Sequence, residues 1–257
     1  MGASGVRRPI PVDLTIEAGA VRVLKVIGAG RAQDDHSRTD LLSALLAGRA
    51  ADFDGSPSPC GLVVMEVLER LRGDLTADVF VEEWWAEPLE TRAAESVLWR
   101  DAGARLAALG VEDVWLAREH VLRRPTYDDR GTLEGGGGQA ARRRKVIGTA
   151  YRRDDFTPEV FFEYWRTVHA PISGRAPGLD GYIVSEVVAA AGRTHTEAFV
   201  EQWWPDQATL DAAATSPEVE VAWLDVANYA KTTGTFWLVR EHVARRPEYL
   251  SPGLLER

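Results

Sequence analysis

His169 raises the first chemical question in this sequence. It lies in "FFEYWRTVHAPI", Phe161 to Ile172, four residues after Trp165 and two before Pro171. An imidazole there has two readings. It can serve as a general acid or base near neutral pH, or it can bind a last-turn carbonyl and complement the helix dipole. The partners of the first reading are Tyr151 and Glu201. Phe199, Glu201 and Trp203 alternate in "AFVEQWW", so on a strand they share one face. A carboxylate among aromatic rings suits a ligand cavity better than a helix-covered core, because a buried unpaired carboxylate is costly. The same alternation groups Tyr182, Val184 and Glu186 on one strand, Trp237 and Glu241 on another, and Ile147, Thr149 and Tyr151 on a third. The expectation is a lumen in which His169, Tyr151 and Glu201 move protons while Tyr182, Glu186, Phe199, Trp203 and Trp237 contact the substrate. Desolvation should then raise the pKa of Glu201. The rival expectation is an ionised Glu201 bonded to an arginine.

The elements that must position these residues come in two copies. "KVIG" occurs at Lys25 and again at Lys145, 120 positions later, and Asp34-Asp35 returns as Asp154-Asp155 at the same offset. "GLVVMEV" from Gly61 matches "GYIVSEV" from Gly181, "FVEEWW" from Phe80 matches "FVEQWW" from Phe199, and "AREHVLRRPTY" from Ala117 matches "VREHVARRPEY" from Val239. A period this long repeats a whole domain rather than a solenoid unit. Each copy reads β-α-β-β-α-β, the ferredoxin-like pattern. In the second copy Thr157 caps a helix with Pro158 at its first position, and Ser216-Pro217 breaks a later one. Helices cover only one face of such a unit, so the other must be buried elsewhere. The expected fold is α+β, with two tandem ferredoxin-like units packed sheet to sheet as an intramolecular barrel. The boundaries are an N-terminal extension 1–19, a first repeat 20–129, a Gly/Arg linker 130–143 and a second repeat 144–257.

The second copy, with "FFEYWRTVHAPI", "PGLDGYIVSEVV", "VEQWW" and "TSPEVEVAWLDV", resembles an EthD-type domain of the dimeric α+β barrel superfamily. That superfamily includes polyketide cyclases, lactone isomerases, decarboxylases, hydroxynitrile lyases, cofactor-free monooxygenases and some haem enzymes. The resemblance implies a small-molecule site in a barrel, with Tyr164 and Trp165 of the aromatic motif joining the substrate wall. It does not choose the reaction. At the 120 offset the first copy has Arg49 in place of His169, and "YWRTVHAPI" becomes "ALLAGRAAD". The first copy therefore reads as a degenerate partner that completes the barrel. The functional expectation is a cofactor-independent enzyme using acid/base chemistry on an aromatic or polyketide-like molecule, in cyclisation, isomerisation or lyase reactions. The alternatives are a cofactor-free monooxygenase and a non-catalytic binding protein.

Composition narrows the partners. A formal net charge of −9 over 257 residues argues against a broad nucleic-acid surface. The one dense basic run, Arg142 to Lys145, reads as a solvated linker end. The single cysteine, Cys60, excludes an internal disulfide. Neither a nucleotide-binding loop nor metal-ligand spacing nor a nucleophile elbow is present, so no cofactor and no metal are expected. There is no signal-peptide pattern and no bilayer-length apolar run. The expectation is a cytoplasmic protein with no membrane partner and a hydrophobic or aromatic small-molecule substrate. It is a pseudo-dimer within one chain, with further homodimerisation left open.

Overall fold

A computed structural model describes residues 21–51, 59–88, 101–125, 143–232 and 234–245. The N-terminal extension and nearly all of the expected linker lie outside them. Eight strands form one closed antiparallel barrel: β1 (Val21–Gly30), β2 (Gly61–Arg72), β3 (Val79–Pro88), β4 (Val111–Arg123), β5 (Arg144–Ala150), β6 (Gly181–Ala191), β7 (Ala198–Trp204) and β8 (Phe236–Arg245). Around the barrel the order is β1-β3-β2-β8-β5-β7-β6-β4. Each half thus contributes four neighbouring strands in the same internal order: last, first, third, second. The halves meet at two seams, β2 against β8 and β4 against β6. Matching ion pairs mark them: Arg240 to Glu66 at 3.2 Å, and Arg118 to Glu186 at 3.0 Å. Closure leaves no unpaired sheet edge.

Helices cover the outside. In the first half α1 (Asp35–Ala51) and the helical residues 101–108 (α2) pack Leu41, Leu45 and Leu106 against Val26, Val64 and Val81. In the second half α3 (Pro158–Tyr164) starts where the sequence says it should. Thr157 caps it by accepting from the Val160 amide, and Pro158 needs no partner for a first-turn nitrogen. The helix does not stop at Pro171. A π-turn, Trp165–His169, absorbs the proline, and α4 (Ala170–Ser173) carries on past it. Proline lacks an amide hydrogen, and its ring collides with the carbonyl four residues back. The wider turn, closed by the Ala170 amide on the Trp165 carbonyl, relieves that conflict. α5 (Gln207–Ala214) and α6 (Pro217–Val226) break at Ser216, which caps α6 through the Val219 amide. Among the described residues no helix is long and apolar enough to cross a membrane.

Candidate functional site

The lumen is filled. Ile27, Met65, Phe80, Trp84, Trp115, Ile147, Phe199, Trp237 and Val239 pack it from all sides. At its centre the halves exchange charges. Lys25 pairs with Glu201 of the second half and lies 2.9 Å from Glu82 and 3.6 Å from Glu119. Lys145 lies 2.8 Å from Glu82 of the first half, 2.8 Å from Glu201 and 3.4 Å from Glu241. The indoles close the arrangement, Trp84 Nε1 donating to Glu119 and Trp203 Nε1 to Glu241, both at 2.9 Å. Glu119 and Glu241 are therefore part of the lumen network.

This arrangement corrects the expected role of Glu201. Its pKa is not raised. Burial alone would raise it, but the ammonium groups of Lys145 and Lys25 outweigh burial and hold it at about 2. The partners are lysines rather than an arginine. The opposite effect falls on Glu82, which burial and the Glu201 charge push up to about 7, because a second carboxylate must ionise beside the first. Lys25 and Lys145 were not anticipated as lumen residues. Their shared parity with Ile27 and Ile147 was the available signal.

Three further placements differ from the alternation argument. On β6 the register pairs Ile183 with Glu201 and Ser185 with Phe199. Directly opposed residues share a face, so Ile183 and Ser185 face the lumen while Tyr182 faces the helices. Glu186 belongs to the β4–β6 seam, paired with Arg118 and 3.4 Å from His120. Tyr151 lies one residue beyond the end of β5, where alternation no longer governs it, and its hydroxyl donates to the His195 carbonyl at 2.9 Å. Phe199, Trp203 and Trp237 do face the lumen, but the lumen is not the cavity.

The cavity lies on the other side of the second-half sheet, beneath its helices, with a volume of about 360 Å³. Its floor is Val146, Ala150, Tyr182, Val200 and Trp204, and its walls include Trp165, His169, Ser173, Leu210, Ala222, Val226 and Tyr229. The π-turn aims Trp165 and His169 inward together, a recurrent use of such turns. Trp165 Nε1 donates to the Tyr182 hydroxyl at 2.8 Å, and that hydroxyl lies 3.0 Å from Ser173 Oγ, which donates to the His169 carbonyl. His169 is 6% exposed. Its Nδ1 lies 2.9 Å from Asp225 Oδ2, in the last turn of α6. The other Asp225 oxygen accepts from Tyr164 Oη and Asn228 Nδ2, each at 2.9 Å. Tyr164 thus stands behind the wall as a support and stacks on Tyr229, ring centroids 5.3 Å apart.

Asp225 and Tyr229 escaped the sequence reading because a helix rich in apolar residues, "VAWLDVANYA", reads as core. The spacing of four between Asp225, in the last turn of α6, and Tyr229, in the turn that follows it, was the missed signal. Electrostatics divides the roles. Burial holds His169 below the ordinary histidine pKa against the opposing pull of Asp225, so the ring is neutral at pH 7. Burial would raise Asp225, yet hydrogen bonds from Asn228, His169 and Tyr164 keep it low and ionised. With Nδ1–H directed to Asp225, His169 Nε2 is the acceptor, and it makes no hydrogen bond to a described residue. The Tyr229 ring lies 4.8 Å from the imidazole. Its hydroxyl is likewise unbonded among the described residues, and burial pushes its pKa well up. A neutral base and a neutral acid therefore stand side by side at one cavity wall.

Among the described residues the first half shows no such arrangement. Leu62 stands where the second half has Tyr182, and Glu83 stands where it has Gln202. Glu83 is buried and bound by Arg105 of α2. The side-chain amide of Gln202 lines the cavity and makes no hydrogen bond among the described residues. The side chain of Arg49, the positional counterpart of His169, lies outside the described residues.

No protein-family profile and no curated protein matches the sequence. Solved structures do. An anthrone oxidase-like protein aligns over 90% of this chain and 96% of its own, at 13% identity and a TM-score of 0.50. A candidate monooxygenase from Fusobacterium nucleatum aligns over 90% and 99%, at 8% identity and a TM-score of 0.51. An EthD family protein from Bacillus halodurans aligns over 37% of this chain and 95% of its own, at 23% identity and a TM-score of 0.33. Identities this low speak to fold alone. The likeness is one of fold, a closed eight-stranded antiparallel barrel with helices on its outside.

Proposed function

We propose that this chain is a small-molecule enzyme in which His169 acts as general base in the cavity of the second half. The observation that carries the proposal is the His169–Asp225 pair at 2.9 Å, with Nε2 turned to an aromatic-walled cavity beside Tyr229. Nε2 takes a proton from an acidic C–H or O–H of the bound substrate. The imidazolium that forms is stabilised by the Asp225 carboxylate, and the Tyr229 hydroxyl donates a hydrogen bond to the oxygen on which charge develops. The apolar walls exclude water and favour a flat aromatic body. The reaction class is proton transfer leading to isomerisation, cyclisation or loss of a small group, with no cofactor required. On the same reading the halves are tandem ferredoxin-like units, 20–129 and 144–257, the second of EthD type, and the first completes the barrel without an active pocket of its own.

Anthrone, with an acidic C–H between two rings, is a first substrate to try. Loss of C–H signal in deuterated buffer, followed by proton NMR, reports proton abstraction, and an oxygen electrode separates simple proton transfer from oxygenation. His169→Ala is expected to slow exchange roughly 10²–10⁴-fold with little change in melting temperature. Equal exchange by wild type and variant across a panel of acidic aromatic compounds would remove His169 from catalysis and leave a binding protein.

A further inference from the structure

We propose that the ligand of the second-half cavity carries an anionic group, and that Arg72, supplied by the first half, receives it at the cavity mouth. The proposal rests on the reading of this cavity as a substrate site. β2 is long, and its last residues cross the seam, Arg72 pairing with Phe236 of β8. Leu71 and Arg72 thereby join the lining of a cavity otherwise built by the second half. The opposite seam has no equivalent, since Ala191 and Gly192 occupy the matching positions 120 residues on. This element of the mouth is therefore asymmetric in a chain whose lumen is symmetric.

The charged side chains of the lining point one way, and the Asp225 carboxylate stands behind His169, held by His169, Tyr164 and Asn228. Among its lining residues the cations at neutral pH are Arg72 and Lys231, and none is Asp or Glu. Lys231 is engaged by Asp154 at 2.7 Å. Arg72 faces no carboxylate within ion-pair distance among the described residues. It is nevertheless held in place. Its Nη2 donates to the Thr232 carbonyl at 3.2 Å, and its guanidinium carbon lies 4.8 Å from the Trp223 ring centroid. Trp223 in turn packs edge-on against Phe236, centroids 5.4 Å apart. A guanidinium has five donors in a fixed fork, and one is used here. The remaining donors form a pre-oriented receptor for a carboxylate or phenolate oxygen. On a chain of net charge −9, an acid-free cavity with an unpaired guanidinium at its mouth selects an apolar aromatic acid over its neutral analogue.

Two probes of nearly equal shape test this, 2-naphthoate and 2-naphthalenemethanol, with affinity read from tryptophan fluorescence at pH 7.5. Wild type is expected to bind the carboxylate roughly 10-fold more tightly than the alcohol, a preference that shrinks with added salt. Arg72→Gln preserves a donor for the Thr232 carbonyl and removes the charge. It is expected to bring the two affinities within about 2-fold of each other while leaving that of the alcohol unchanged. Lys231→Gln, whose charge is already balanced by Asp154, should keep most of the preference. Equal affinities in wild type, a preference that survives Arg72→Gln, or no binding of either probe each overturns the proposal. The catalytic reading fails separately: an intact Arg72-dependent preference with His169→Ala exchange unchanged would leave an anion-binding pocket that is not an enzyme.

Discussion

Removing Lys25 should damage this protein more than removing the glutamate it pairs with. The lumen holds two lysines against four glutamates, all within 3.6 Å of an ammonium. Lys25→Met leaves Lys145 to balance four buried carboxyls, with Glu82 and Glu201 both crowding one cation. Breaking a buried ion pair by deleting one partner typically costs about 3–5 kcal/mol, and here the loss falls on the scarcer sign. For a chain of this size that corresponds to a fall in melting temperature of roughly 6–20 °C. Glu201→Gln leaves Lys25 with Glu82 at 2.9 Å and Lys145 with Glu82 at 2.8 Å, and it removes the repulsion between the two central glutamates. Its cost should be smaller, about 1–2 kcal/mol. The double variant Lys25→Met, Glu201→Leu exchanges the cross-half pair for apolar packing and should be more stable than Lys25→Met alone. Urea denaturation at pH 7.5 gives all three. Glu201→Gln costing as much as Lys25→Met, or Lys25→Met costing under about 1 kcal/mol, would refute the claim that the lysines are the limiting charges.

Three further outcomes are expected. Glu82, raised to about 7 from an ordinary 4.5, holds a proton in the folded chain that the unfolded chain has released. Stability from this group is therefore lost as pH rises from about 4.5 through about 7, and Glu82→Gln should flatten that slope in a plot of melting temperature against pH. Asp225→Asn removes the charge that props up the His169 pKa. The acid limb of a pH–rate profile should move to lower pH as turnover falls roughly 10–10³-fold, and an unmoved limb would separate the two residues. Gln202→Glu recreates the first-half residue Glu83 without its Arg105 partner. A lone carboxylate at the cavity floor should destabilise the fold by about 1–3 kcal/mol and weaken 2-naphthoate binding, both read in one thermal-shift titration.

The succession of strands and helices and the helix caps were legible because they depend on local pattern. Thr157, Pro158, Ser216 and Pro217 each fix a helix start by the chemistry of the residue itself. The lumen face of β7 and β8 was legible for the same reason, since Phe199, Glu201, Trp203 and Trp237 alternate cleanly. What failed was long-range. The parity of β6 relative to β7 depends on register, which one sequence does not carry, so Tyr182 was placed on the wrong face. The fate of Glu201 depended on two lysines from strands 120 positions apart, each of which looks like a surface residue by composition. His169 was found, but its partner was not. Asp225 lies 56 residues away on a helix whose position over the π-turn only the folded chain reveals.

Closing a barrel from one chain divides the labour between its two surfaces. Lumen side chains must meet their counterparts across the centre, so Lys25 and Lys145, and Glu82 and Glu201, occupy paired positions and bind across the halves, while Trp84 and Trp203 each lie against the lysine of their own half. A change at one of them is felt at the other, which opposes divergence there. The outer face of each sheet touches chiefly its own helices, so a substitution in one half leaves the other unaffected. Glu83 and Arg105 pair within that layer in the first half; in the second half the layer opens into a cavity with His169 and Tyr229 at its wall and Asp225 behind His169. The halves therefore differ most where they are mechanically independent. Arg72 extends the argument to the seams, where a strand end overhangs the other half without being matched across the axis. On the proposed reading the first half shapes its neighbour's pocket, and the naphthoate preference of Arg72→Gln measures that contribution directly.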